Sequence, residues 1–156
     1  MTQTATTLAP DAQTAICDAL NQCVAETTVA TMMAQNFHWN VTGMAFGSLH
    51  DLFQTIYEDH FAAADDLAER VKALDGFVDG RLSVVLERSK VQDHAGDVPA
   101  ETMVKALSAA QETLAATLAG TAAVAEDHGD LLTQDLAIAR GQAHEKFAWM
   151  LRSHLK

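Results

Sequence analysis

Four stretches of this chain repeat apolar residues at three- and four-residue steps, and the links between them are very unequal in length. Nothing else in the sequence narrows the fold so far. In the first stretch, from about Asp11 to Asn40, Ile16, Leu20, Cys23, Ala30, Ala34 and Phe37 fall largely on one face of an α-helix. The second starts at Ser48, where Ser48 and Asp51 match a helix N-terminal capping pattern, and runs to about Leu74 before Asp75-Gly76. The third runs from Pro99, a residue suited to a first helical turn, to about Asp127, with Met103, Leu107, Ala110, Leu114 and Leu118 on one side. A fourth follows Gly129-Asp130 and continues nearly to Lys156. No segment alternates apolar and polar residues as a half-buried strand does, so the expected class is all-α.

The links set the topology. The turns at Val41–Gly47 and His128-Gly129 are short enough to require antiparallel neighbours. Gly76 to Val98 is long enough to recross helices of about 40 Å and to hold a short helix at Leu82–Arg88. The layout is a ferritin-like four-helix bundle with one long crossover carrying a short extra helix. Residues 1–156 are expected to form a single domain, with 1–10 as a flexible N-terminal tail.

Charge restricts the partners. The chain carries 21 acidic and 10 basic residues, a formal charge of −11, which disfavours nucleic acid and anionic membrane but suits cations. Cys17 and Cys23 lie six residues apart on one helix, about 9 Å along its axis, too far to bridge within the chain. Met1 to Pro10 is mostly polar and uncharged, and no apolar run approaches the roughly 20 residues of a membrane span. A cytoplasmic location is expected.

The second helix carries two unlike faces. Leu49, Leu52, Phe53, Ile56, Ala63, Leu67, Val71 and Leu74 point toward the core. His50, Gln54, Glu58, Phe61, Asp65 and Glu69 cluster about 140° away, mixing metal-ligand types with an aromatic ring. Such a face suits a subunit contact better than open solvent. As an ordinary surface, Asp65 and Glu69 would be a solvated pair, with Lys72 as an i, i+3 partner of Glu69. As ligands they present a distance problem: His50 and Asp65 are fifteen residues apart, about 22 Å along one helix. His38 stands beside His50 across the turn and does not close the gap. One ion can meet all four side chains only if a twofold-related copy lays its second helix antiparallel to the first.

Four motifs then resemble a known family: HWNVTG from His38, LHDLF from Leu49, DDLAER from Asp65 and HEKFAWMLR from His144. Together they resemble the Dps family of bacterial mini-ferritins (DNA-binding proteins from starved cells), over nearly the whole chain from about Asp11. The resemblance implies a dodecameric shell that takes up ferrous iron, oxidises it, preferentially with hydrogen peroxide rather than O2, and stores ferric mineral. It implies a centre between twofold-related subunits, with His38 and His50 from one chain, Asp65 and Glu69 from the other, and Trp39 beside it.

Two departures modify these expectations. The family usually has an aspartate four residues after the second histidine, where this chain has Gln54. A neutral amide is a poorer iron ligand than a carboxylate, so the second iron position is expected to be weak, with Glu58 in partial compensation. Met1 to Ala15 contains no Lys or Arg, whereas DNA-condensing members use lysine-rich tails, so direct DNA binding is not expected. A non-catalytic cage with a weakened iron site, or a nucleoid-associated DNA-protecting protein, is the alternative reading. By resemblance Asp130 and Asp135 line an iron-entry pore, although Asp130 also sits where a helix N-cap belongs. His60 lies on the core side of its helix and is expected to be a buried, satisfied histidine.

Overall fold

The computed structural model describes residues 7–156. Its α-helices are α1 (Pro10–Asn40), α2 (Phe46–Ala73), α3 (Leu82–Arg88), α4 (Ala100–Asp127) and α5 (Leu131–Arg152), followed by a 3-10 turn at Ser153–Leu155. There is no strand among the described residues. The architecture is the expected all-α, ferritin-like four-helix bundle with a helix in its crossover. Of the expected tail, residues 1–6 lie outside the described residues, and Pro10 already belongs to α1.

The long helices pack as α1 on α2, α4 on α5 and α1 on α4. Every apolar residue placed on the core faces of the first three long helices is buried. Phe37 of α1 and Phe53 of α2 are completely buried and meet at a ring-centroid distance of 5.9 Å. Each such ring contributes about 1.5–3 kcal/mol through area removed from water.

Helix ends come from backbone geometry more than from the side chains that the sequence suggested. Ser48 and Asp51 do not cap α2, which begins earlier, after Ala45, with no side-chain cap. Gly43 adopts a positive φ of 105°, which turns the chain sharply enough for helical bonds to begin at Ala45, where Leu49 N donates to the carbonyl. Ser48 is thus inside the first turn, and its hydroxyl bonds back to the Ala45 carbonyl at 3.2 Å. Pro99 is the residue before α4 rather than its first.

At the end of α2, Gly76 N donates to Val71 O and Asp75 N to Lys72 O, closing the last turn around Asp75 in the left-handed region (φ 59°). A side chain at Gly76 would come within 2.7 Å of Cys17 Sγ. The end of α4 repeats the arrangement, with Gly129 (φ 72°) in the left-handed position and Asp130 N bonded to Ala125 O.

The crossover lies against α1. Asn21 and Gln22 donate to the carbonyls of Phe77 and Arg88 at 2.9 and 2.8 Å, and His94 packs edge-on against Phe37. α3 also packs on α1. The outer face of α2 is therefore left uncovered, with Phe46 and Phe61 exposed on it.

Candidate metal centre

The α1–α2 turn brings His38, at the end of α1, against His50, in the first turns of α2. Their rings stack at a centroid distance of 3.8 Å and an interplanar angle of 18°. His38 Nδ1 donates to the His50 carbonyl and His50 Nδ1 to the His38 carbonyl, both at 2.8 Å. A carbonyl can only accept, so the hydrogen of each neutral ring is fixed on Nδ1 and the lone pair on Nε2. Neither Nε2 has a partner among the described residues, which is the arrangement of a histidine prepared to ligate a metal. Phe46 stacks on the far side of His50 at 5.0 Å, and Tyr57 meets His38 nearly perpendicularly at 5.3 Å. The rings are thus held from both sides before any ligand arrives.

Asp65 and Glu69 are exposed further along α2, and neither has a hydrogen-bond or ion-pair partner among the described residues. Lys72 does not neutralise Glu69, because its ammonium donates instead to the Gly76 carbonyl at 2.6 Å. The helix end draws the lysine away and leaves both acids open. Among the described residues, no group of three or more His, Cys, Asp or Glu side chains within the chain could hold a metal ion. The histidine pair and the acid pair are thus separate halves on one helix face. Gln54 Nε2 donates to Glu58 Oε1 at 2.8 Å, so amide and carboxylate are tied to each other one turn apart. Trp39 is 62% exposed and makes no ring contact with either histidine.

Asp130 caps α5, accepting from Thr133 N, and it is buried in an ion pair with Arg70 at 2.9 Å. Arg70 also donates to Thr133 Oγ1, so this carboxylate ties α2 to α5 within the chain. Its oxygens are thereby committed, which leaves Asp135, exposed one turn further along α5, as the open carboxylate of the two.

Sequence reasoning missed a second polar centre inside the bundle. His60 and His144 are both completely buried, and their rings are 4.7 Å apart. Gln111 of α4 lies between them: His144 Nδ1 donates to its Oε1 at 2.6 Å, and its Nε2 donates to His60 Nε2 at 2.9 Å. His60 Nδ1 donates to Asp59 at 3.0 Å, Asp59 pairs with Arg140 at 2.7 Å, and Arg140 reaches His144 Nε2 at 3.4 Å. The bonds close into a ring across α2, α4 and α5 in which every imidazole nitrogen is used. Burial pushes the His60 pKa down, against the opposing pull of Asp59, and pushes that of His144 down to about 2, helped by His60 and Arg140. Burial alone would raise the Asp59 pKa, but hydrogen bonds from His60 and Arg140 hold it well below the usual carboxylate range. The core-side place of His60 on its helix signalled its burial, while Gln111 gave no local signal.

A bundle with this crossover and this face of histidines and acids defines a ferritin-like protein. The match to the ferritin family, described as a ferritin-like domain, covers residues 17–156. "DNA protection during starvation protein 2" of Bacillus anthracis is 34% identical over 140 residues, covering 90% of this chain and 96% of the relative. The crystal structure of Dps from Staphylococcus aureus superposes with a TM-score of 0.87 at 36% identity, covering 90% of this chain and 95% of that one. The Dps protein of Vibrio cholerae O1, described as a member of a broad superfamily of ferritin-like diiron-carboxylate proteins, gives a TM-score of 0.93 at 27% identity, covering 100% and 98%. The chain belongs to the ferritin-like proteins and, within them, to the Dps family of mini-ferritins. No helix among the described residues is long and apolar enough to cross a membrane.

Proposed function

We propose that this protein is a ferroxidase that takes ferrous iron as substrate, oxidises it preferentially with hydrogen peroxide, and stores the ferric product inside a homo-oligomeric shell of twelve subunits in the cytoplasm. Each centre takes His38 and His50 from one subunit and Asp65 and Glu69 from its twofold partner. The observation that carries the reading is the reciprocal clasp of the two imidazoles, which fixes both Nε2 lone pairs, together with two unneutralised carboxylates on the same helix face. The 22 Å between the halves, about fifteen residues of helix rise, supports antiparallel pairing of two α2 helices. Imidazole and carboxylate suit Fe(II) and leave coordination positions for an oxidant. Family membership supports iron and a cage assembly for this chain.

Gln54 lowers the negative charge and donor strength of the second iron position, and its bond to Glu58 holds the nearest replacement carboxylate in reserve. One iron per subunit is bound tightly and the second loosely. Exposed Asp135 serves iron entry, whereas Asp130 serves the fold. Direct DNA binding is not part of the function, because the net charge of −11 opposes it and residues 1–15 supply no lysine or arginine. Anaerobic Fe(II) titration followed by one peroxide addition tests the reading. It predicts one tight and one loose iron per subunit and one peroxide consumed per two irons; no oxidation at any loading contradicts it.

A further inference from the structure

Glu26 lies midway along α1, its side chain is completely buried, and the crossover runs across it. Asp130, the other buried carboxylate among the described residues, is matched by the Arg70 guanidinium. Glu26 has no such match. Its Oε1 accepts from Gln22 Nε2 at 2.8 Å and from the Lys90 backbone N–H at 3.4 Å, while Oε2 is closed to solvent and has no hydrogen-bond partner among the described residues. The Lys90 side chain is exposed rather than folded down onto the acid. A carboxylate buried in this way opposes the closed structure, because water would satisfy both oxygens and the protein satisfies one.

The segment above Glu26 is held lightly. Between Phe77 and Val98 only Val85 and Val91 are buried. A cavity of about 90 Å³ remains between Ala25 of α1 and Phe77, Val84 and Val85 of the crossover, so this seam is not close-packed. The Gln22 amide is shared, since Nε2 lies 2.8 Å from both Glu26 Oε1 and the Arg88 carbonyl. We propose that Glu26 is a built-in release for the crossover: α3 and the residues after it, to Val91, lift from α1 as one local unit, and the carboxylate gains water when they do. Two buried valines and the Gln22 and Arg88 bonds hold the unit down, and the unmatched carboxylate pushes against them. Opening is therefore far more frequent than unfolding of the bundle. A helix of seven residues does not persist alone, so α3 melts as it leaves. The open form bares Ala25, which shares a hydrophobic cluster with Val85 and Val91.

The test is hydrogen–deuterium exchange of the full-length assembled protein, read by mass spectrometry on peptides spanning 82–92. Val85 N and Ser89 N donate to the carbonyls of Arg81 and Val85, so their exchange reports the opening without relying on the Glu26 bond itself. In the wild-type protein these peptides are expected to exchange well before those of α4. Glu26→Met keeps the length of the side chain and removes the charge, and it is expected to slow the exchange about tenfold while α4 is unchanged. Glu26→Gln slows it less, because a buried amide still has polar atoms to satisfy. The sign of the change decides the matter. Faster exchange in Glu26→Met, or a variant that no longer folds, makes Glu26 an anchor for the crossover and overturns the inference. Wild-type peptides as slow as those of α4, or an unchanged rate in the variant, also overturn it. None of these outcomes bears on the ferroxidase reading.

Discussion

At the α1–α2 turn two imidazoles lie flat on one another, each spending Nδ1 on a carbonyl and leaving Nε2 unused. About 15 Å further along α2, ten residues of helix rise, His60 meets His144 in the bundle interior, and there all four ring nitrogens are engaged. The residue type is the same and the wiring is opposite. Backbone carbonyls orient the first pair and ask nothing of its outer nitrogens. In the second pair, side chains from three helices consume every donor and acceptor, and Arg140 supplies the positive charge that a metal would bring. The first pair is left open to a ligand and the second holds helices in register. A histidine pair is therefore read by what each nitrogen has left to offer.

The comparison is most sharply broken by acid. His60 and His144 have folded-state pKa values below the unfolded value near 6.5, so below that pH the unfolded chain takes up protons that the native ring refuses. Stability is full above pH 6.5 and falls as the pH drops, by about 1.4 kcal/mol per pH unit for each imidazole that stays neutral. Urea unfolding at pH 7.5, 5.5 and 4.5 measures this; a midpoint that is flat across the range shows that the interior pair does not carry the effect.

Removing the bridge comes next. Gln111→Leu leaves two buried imidazole nitrogens without partners, each costing about 1–3 kcal/mol. Thermal unfolding is expected to register that loss, while anaerobic Fe(II) affinity stays within twofold, about 0.4 kcal/mol. His50→Ala reverses the pattern: tight iron binding weakens by about a hundredfold or more, with less than about 1 kcal/mol lost from stability. Should His50→Ala unfold the protein, or Gln111→Leu abolish iron binding, the division of labour between the two pairs is wrong. The smallest effect is at Gln54→Asp, where the restored carboxylate is expected to tighten the loose iron about tenfold, near 1.4 kcal/mol. Calorimetric titration reads it as a merging of the two binding phases.

Most of the bundle was legible because burial is periodic. The stripes from Ile16 to Phe37, Leu49 to Leu74 and Met103 to Leu118 needed only helix geometry to place, and the crossover helix at Leu82–Arg88 follows from a link too long for a turn. The start of α2 was not legible, because Gly43 sets it through a backbone angle that competes with the Ser48 and Asp51 pattern. Lys72 had the spacing of a partner for Glu69, but the carbonyls at the end of a helix are stronger competition than an exposed carboxylate. At the candidate centre the side chains stood out by type and spacing. Their reciprocal bonds did not, since these exist only once α1 and α2 are antiparallel. The ring around Gln111 was hidden for the same reason: its partners lie 51 and 33 residues away.

The proposed function depends on one ion being gripped by two subunits. Crystals soaked anaerobically in ferrous salt, with anomalous difference maps recorded at the iron edge, measure this directly. The account predicts a strong peak coordinated by Nε2 of His38 or His50 from one subunit and by carboxylate oxygens of Asp65 and Glu69 from its twofold partner, with a weaker peak toward Gln54. Iron found only within one chain, or a twofold contact that leaves the imidazoles far from the partner's acids, would contradict it.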